Sequence, residues 1–554
     1  MSAQWTVGAY LARRLEQAGV GHVFGVPGDY CLPFFDDLEA SAMELVGTCN
    51  ELSGGYAADG YARIRGAGAV AVTYDVGGFS LLNAIAGAHA ERVPVIAVSG
   101  APRTTEAASH HMLHHMTGDL NVQHEVYRTI TESAVRLLDP LRAPEQIDAA
   151  ITASLRERRP AYIELPLDMS RAACRAPGVF SPDTVLMSDW DAVDEAAGEV
   201  ADLLEAAAAA GNGAVVIAGV EAHRLGLTAE LQALIEHLGC PFVTTLSSKT
   251  VLSEAHPQFA GVYIGALGCH RTQVAVEEAA VVLSLGAIMS DVDLGLSTGH
   301  IEPLRLVAVN SDNVRIHHHV YQRVTLADLI ATLRRRVKGG LFTAGSAETD
   351  RTACRYACVG APYVLTPARP ITIARFYQRL ESFLAEEHIL LADAGDSVLA
   401  AADLAMPAGS LFLAQGYYLS IGWTVGATLG AKCAAPSRRP VTLVGDGAFQ
   451  TTAQELSTIV RLRQNPVVFV MNNEGYVIER YIHDGPYNDI NVWKYSHLAE
   501  VFGGPPGLVV ETEGDLEAAL AHAQAHPDEL VLVEVRLDRL DASQTLKRFG
   551  HADR

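Results

Sequence analysis

Apolar runs alternate with amphipathic stretches along most of the chain. Between residues 1 and 170, GAVAVTYDV is followed by FSLLNAIAGAHAE and then by VPVIAVSG. A short, continuous apolar run reads as a strand buried on both faces, and apolar positions three and four apart read as a helix. Strand, helix and strand in that order predict a parallel sheet covered by helices. The pattern loosens over 171–191, around Pro177 and Pro182, and resumes over 190–338 with GAVVIAGV, AAVVLSLGA and LRLVAVN. It breaks again over 339–370, a stretch rich in Gly, Ala, Thr and Pro. Beyond it ILLADAG, RPVTLVGDG, NPVVFVMNNEG and ELVLVEVRL are the strand candidates, with a helix over 451–462. The fold class expected is α/β, with three doubly wound parallel-sheet domains over residues 1–180, 190–338 and 365–554. No short-period repeat is visible.

Composition adds exclusions. Hydrophobic residues make up 49% of the 554 residues, enough apolar surface for several cores, and the length exceeds what a single core sustains. A formal charge of −23 repels nucleic-acid phosphates and anionic membrane surfaces, so neither partner is expected. The N-terminal stretch lacks the basic-then-apolar pattern of a signal peptide, and no apolar run reaches about 18 residues, which predicts a cytoplasmic protein. The eight cysteines are scattered singly, so neither a disulfide framework nor a structural zinc site is expected.

Candidate chemistry concentrates in VTLVGDGAFQTTAQELSTIVRLRQNPVVFVMNNEGYVIE. Two predicted strands end there at polar turns, Gly445-Asp446-Gly447 and Asn472-Asn473. In an open parallel sheet ligands bind outside the carboxyl ends of the strands, and a glycine turn that opens a helix can cradle a phosphate. A dinucleotide-binding turn is the plainer reading. Asp446 argues against it, because a carboxylate would repel a pyrophosphate unless a hard cation lay between them. One carboxylate, one amide oxygen, a backbone carbonyl, phosphate oxygens and water complete an octahedral Mg²⁺ site at about 2.1 Å. The pattern therefore predicts a diphosphate cofactor held through Mg²⁺.

This GDG, spacer and NN arrangement resembles the diphosphate-binding motif of the thiamine-diphosphate enzymes. The resemblance implies Mg²⁺ bound by Asp446, Asn473 and the carbonyl of Gly475, with thiamine diphosphate lying across Gly445, Gly447 and the second turn. CNELSGGYAADGYARIRG resembles the pyrimidine-binding domain of the same enzymes and makes Glu51 the carboxylate beside the aminopyrimidine. VFGVPGDYCLPFFDDL places Asp29 in a turn, and ASHHMLHHMTG holds His110, His111, His114 and His115. Histidines four apart on a helix would also suit a metal. Asp29 with consecutive His114 and His115 resembles instead the decarboxylases of pyruvate, indolepyruvate and related 2-keto acids, in which Glu479 corresponds to a second catalytic carboxylate.

The similarity runs from about residue 6 to 550 and is closest to the bacterial pyruvate decarboxylases, through TYDVGGFSLLNAIAGAHAERVPVIAVSGAP, ADAGDS, SIGW and YVIERYIHDGPYNDINVWKYS. It implies pyrimidine-binding, central and diphosphate-binding blocks, a small 2-keto acid substrate, and a homodimer or homotetramer with active sites between subunits. It also makes Ile421 the apolar wedge that bends the cofactor, and Asp396 and Leu419 the residues whose carbonyls meet the aminopyrimidine.

Several positions depart from the pattern. Leu419 stands where the family usually has Gly, and the chain lacks the longer tail of its relatives, so water exclusion is expected to be weaker. Val398 and Val292 occupy positions that carry aromatics in the pyruvate enzymes, while Ile478 and Ile482 flank Glu479. A pocket lined by these four would favour a bulky aromatic or branched 2-keto acid such as indolepyruvate or phenylpyruvate. The alternatives are pyruvate itself, a carboligase of the acetolactate-synthase type, whose members lack the paired histidines, and a hydride-transfer dehydrogenase.

Overall fold

The computed structural model describes residues 5–107, 111–182, 186–342 and 363–552, organised around three sheets. The first sheet is built from β1 (His22–Gly25), β2 (Glu44–Gly47), β3 (Gly68–Val72), β4 (Val95–Ala101), β5 (Ser133–Arg136) and β6 (Ala161–Pro166). Its order is β2-β1-β3-β4-β6-β5 and every pairing is parallel. The central strands β3, β4 and β6 are buried along their whole length, as expected of a sheet with helices on both faces.

The second sheet comprises β7 (Ala214–Ala218), β8 (Phe242–Thr244), β9 (Phe259–Val262), β10 (Val281–Leu285), β11 (Leu306–Val309), β12 (Asn313–Ile316) and β13 (His319–Gln322). Its order is β13-β12-β11-β10-β7-β8-β9. Parallel winding holds from β11 to β9, and β12 and β13 add an antiparallel edge, because the short turns joining β11, β12 and β13 permit no crossover.

The third sheet comprises β14 (His388–Ala392), β15 (Leu411–Leu413), β16 (Arg439–Gly445), β17 (Val467–Asn472), β18 (Leu508–Val510) and β19 (Val531–Arg536). Its order, β15-β14-β16-β17-β19-β18, repeats the winding of the first sheet strand for strand, and it too is wholly parallel. The three α/β units expected from the sequence are thus present, and the outer two are topological copies.

The first and third units share one core, which joins Phe24, Tyr56, Tyr61 and Val70 to Leu391, Trp423, Val444 and Leu532. At its centre the helix Glu51–Arg65 packs on the helix Trp423–Ala434. Both are rich in small residues because their backbones nearly touch. A Cβ on Gly430 would lie 1.9 Å from the Ala57 carbonyl oxygen, and one on Gly60 would lie 2.6 Å from that of Ala427. Arg63 locks the crossing, donating to the buried Asp59 carboxylate at 2.6 Å while its guanidinium lies over the Trp423 ring. A Gly430→Val protein is expected to lose about 1–3 kcal/mol or fail to fold, because overpacking against backbone has little room to relax. Its urea midpoint tests this, and an unchanged midpoint would mean that the two helices part freely.

Cys269 is disulfide-bonded, which the single scattering of cysteines did not foretell. Among the described residues no helix is long and apolar enough to cross a membrane.

Candidate active site

Each outer sheet changes winding direction near its middle, between β1 and β3 in the first and between β14 and β16 in the third. Crevices for ligands open outside the carboxyl ends of the strands at such switch points. In the third unit this is a cleft of about 380 Å³. Asp396 reaches it from the turn after β14, Asp446 from the end of β16, and Asn473 and Gly475 from the end of β17. Leu419, Ile421, Gly445, Gly447, Ile478 and Glu479 complete the set of sequence-predicted residues that line it.

The chain makes the Asp446 carboxylate the hub of this cleft. It is 1% exposed, and it accepts the amide of Gly447 at 2.8 Å and that of Gly475 at 3.1 Å, so one side chain ties both polar turns together. Burial pushes its carboxyl up to about 6, and the backbone amides of Gly447, Gly475 and Glu474 pull it partly back. The second turn is fixed from behind by Arg480, which donates to the carbonyls of Asn473 at 2.9 Å and Glu474 at 2.6 Å. Glycine is required at 475, where φ is +142° and a Cβ would stand 2.1 Å from the Asn488 carbonyl oxygen. At Gly445 the space beyond the backbone is open, with nothing within 4 Å of a built Cβ. A buried carboxylate, a buried amide side chain and a glycine carbonyl next to an open backbone shelf suit a hard divalent cation holding a diphosphate.

The segment over 417–421 enters the cleft from the other side and is held from the first unit. Glu91 accepts the amides of Tyr417 and Tyr418 at 2.8 and 2.9 Å, while Asn83 and Tyr56 bond to Tyr418 and Ser420. Within the third unit Gln415 accepts the Ser420 amide, and Asp393 accepts the amides of Gly422 and Thr424 at 3.0 Å. Leu419 is thereby kept at φ +54°, a left-handed conformation that L side chains avoid and glycine adopts freely. Asp393 is a residue that sequence reasoning passed over. It lies in the quoted ADAGDS, but nothing in the pattern showed that its buried carboxylate anchors the turn after Ile421. Burial pushes its carboxyl up to about 6.

The first unit carries a separate cluster. Asp29, in the turn after β1, pairs with His114 Nε2. The other ring nitrogen of His114 lies 3.3 Å from the Tyr30 hydroxyl, and the two rings are stacked with centroids 4.7 Å apart. His115 packs edge-on against both rings. One donor atom from each of Asp29, His114 and His115 falls within 4.8 Å of the others, and all three residues are exposed. The histidines sit in a turn between β4 and the helix Val122–Ile130, so the helical i, i+4 geometry of a metal site is not present over 111–115, and His110 lies outside the described residues. Glu51 opens its helix after the Asn50 cap, 3.3 Å from where a Cβ on Gly77 would stand. Glu455 of the third unit accepts the amide of neighbouring Cys49 at 3.0 Å.

Within one chain none of Asp29, Glu51, His114 and His115 lines the cleft. Nor do Val398, Val292 and Ile482. Val398 is 1% exposed inside the core of the third unit, Val292 packs partly buried against that core, and Ile482 is exposed at the end of its helix. Ile373 and Leu537 line the cleft although no motif marked them, and Tyr476 lines it from within the quoted YVIERY stretch.

Family comparisons accord with this geometry. Residues 5–123 match the thiamine pyrophosphate enzyme N-terminal TPP binding domain, 198–335 the central domain and 393–535 the C-terminal TPP binding domain. A pyruvate decarboxylase of Neurospora crassa is 34% identical over 560 residues, covering 99% of this chain and 96% of the relative. An alpha-keto-acid decarboxylase of Mycolicibacterium paratuberculosis is 36% identical over 98% of this chain and 95% of its own. The chain belongs to the thiamine-diphosphate-dependent 2-keto acid decarboxylase family.

Proposed function

We propose that this decarboxylase converts a bulky aromatic or branched 2-keto acid, such as indolepyruvate or phenylpyruvate, into its aldehyde and CO₂, with thiamine diphosphate held through Mg²⁺. The observation that carries the cofactor reading is the buried Asp446 carboxylate, which gathers both polar turns at one end of the third sheet. Asp446, Asn473 and the Gly475 carbonyl would hold Mg²⁺, and the backbone at Gly445 and Gly447 would border the diphosphate. The Leu419 and Asp396 carbonyls, the Ile421 wedge and Glu51 would orient the ring system. When bound, thiamine diphosphate supplies the carbon nucleophile and the electron sink for the decarboxylation.

The chain's own groups then handle protons and water. Glu51 would hold the proton that exchanges with the aminopyrimidine. His114, steered by Asp29 and Tyr30, and His115 face the substrate's carbonyl oxygen. Glu479, at the mouth of the cleft, donates the proton to the carbon that loses CO₂. Because these first-unit groups stand apart from the cleft of their own chain, they fit a site completed by a second copy, in a homodimer or homotetramer. We place the enzyme in the cytoplasm.

Ile478 in the cleft wall supports an apolar substrate. Pyruvate is the second reading, favoured by the burial of Val398 away from the cleft and by the leucine at 419. The test is aldehyde release from pyruvate, 2-ketoisovalerate, phenylpyruvate and indolepyruvate, each with and without thiamine diphosphate and Mg²⁺. Cofactor-dependent aldehyde is expected, highest with the aromatic substrates, and Glu479→Gln should lower it roughly 10²–10⁴-fold. Undiminished aldehyde from Glu479→Gln would remove the proton donor from this scheme, and a coupled hydroxyketone as main product would make the enzyme a carboligase.

A further inference from the structure

Thr73, Tyr74 and Asp75 follow β3 at the switch point of the first sheet, opposite the turn that carries Asp29. Asp75 is fully buried and held at φ +45°, ψ −75°, a conformation that a residue with a Cβ adopts only under constraint from its surroundings. It precedes the helix Val76–Ala90 but does not cap it with its side chain. One carboxylate oxygen accepts instead from Thr117, taking the backbone amide at 3.0 Å and the hydroxyl at 3.1 Å. Thr117 closes the exposed turn that holds His114 and His115, and His115 is itself left-handed at φ +68°. The same segment braces that turn a second way. Tyr74, 1% exposed, packs edge-on against Tyr30, the ring on which His114 is stacked.

We propose that Asp75 is a positioning residue for the two histidines, fixing their turn through Thr117 so that both rings stay aimed at the substrate of this decarboxylase. The proposal rests on the reading of His114 and His115 as the groups that face substrate. An exposed histidine pair in an irregular loop has no secondary structure to hold it, so its aim depends on the few bonds made by the turn, and a misplacement of about 1 Å can cost roughly 100-fold in rate. The charged and titratable groups around Asp75 are Tyr74 beside it, His115 in the turn, and the Glu164 and Arg136 pair behind it. Burial raises the Asp75 carboxyl, and the Thr117 bonds oppose that rise.

Two variants separate anchoring from backbone strain. Asp75→Gly tolerates the positive φ and so keeps the fold, but it releases Thr117. Asp75→Asn keeps an acceptor oxygen and bears the same backbone strain as the wild type. For the full-length, cofactor-loaded enzyme, kcat of Asp75→Gly should fall by about 100-fold with little change in KM, while Asp75→Asn retains most of it. In parallel, diethyl pyrocarbonate modification of His114 and His115, followed by mass spectrometry on the cofactor-free protein, should be faster in Asp75→Gly than in the wild type and Asp75→Asn. Wild-type kcat with unchanged histidine modification in Asp75→Gly would overturn the proposal, as would equal losses of kcat in both variants with unchanged modification. If the wild type makes no aldehyde at all, the functional reading fails while the modification arm still decides whether Asp75 holds the turn.

Discussion

Asp446→Asn should remove cofactor-dependent activity while leaving the protein about as stable as before at pH 8. The substitution keeps the shape of the side chain and one acceptor for the Gly447 or Gly475 amide, but it takes away the negative charge a divalent cation needs. Thiamine diphosphate affinity in the presence of Mg²⁺ is expected to drop by at least roughly 100-fold, given that even groups supporting a metal ligand are worth 10–100-fold. Stability does not follow it. Burial raises the Asp446 carboxyl from 3.8 to about 6, so what it contributes to the cation-free fold is complete below pH 4 and is lost as pH rises through 6. A rise of that size corresponds to about 3 kcal/mol, which the asparagine protein does not lose at pH 8, offset by roughly 1–3 kcal/mol for the one backbone amide left without an acceptor. Calorimetric titration of the cofactor and urea unfolding at pH 8 check both halves. Wild-type cofactor affinity would remove Asp446 from the cation site, and a large loss of stability would make its role structural.

How far the sequence reached depends on what kind of statement is asked of it. Strands such as GAVAV and AVVIA are short apolar runs bounded by turn residues, and both are buried along their whole length. Residues adjacent in sequence to a strand end are also legible, because a strand that ends at Gly445 leaves Asp446 little freedom about where to go. Depth is not legible in this way. Val398 sits one turn into a short helix, and whether that turn faces the cleft or the core is set by how the helix Asp396–Ala401 rolls against β14 and the C-terminal helix Gln544–Ala552. Asp396 shows the constraint: its carboxylate accepts the Ser543 amide at 2.8 Å and so turns the helix toward the chain's end. Bonds between distant segments are equally hidden. Glu91 to Tyr417, Glu455 to Cys49 and Asp75 to Thr117 each join residues that no local pattern connects, and each fixes a turn that bears predicted site residues.

The same reasoning makes Leu419 the position where one substitution should change substrate choice most. A leucine at φ +54° costs about 1–2 kcal/mol relative to right-handed backbone, and it persists because Glu91, Gln415, Asn83 and Tyr56 hold its neighbours on both sides. Glycine relieves that strain at an entropic cost of up to about 1 kcal/mol, so Leu419→Gly should fold as well as the wild type. What changes is the cleft, which loses a branched side chain beside Ile421. With about 1–3 kcal/mol of discrimination per methylene, the ratio of kcat/KM for indolepyruvate over pyruvate should rise by at least tenfold. Leu419→Ala separates the two effects, since it opens the cleft without relieving the backbone. If both variants shift the ratio, the side chain sets substrate size; if only glycine does, the strain itself tunes the site; and an unchanged ratio in both would mean that Leu419 acts through its carbonyl alone.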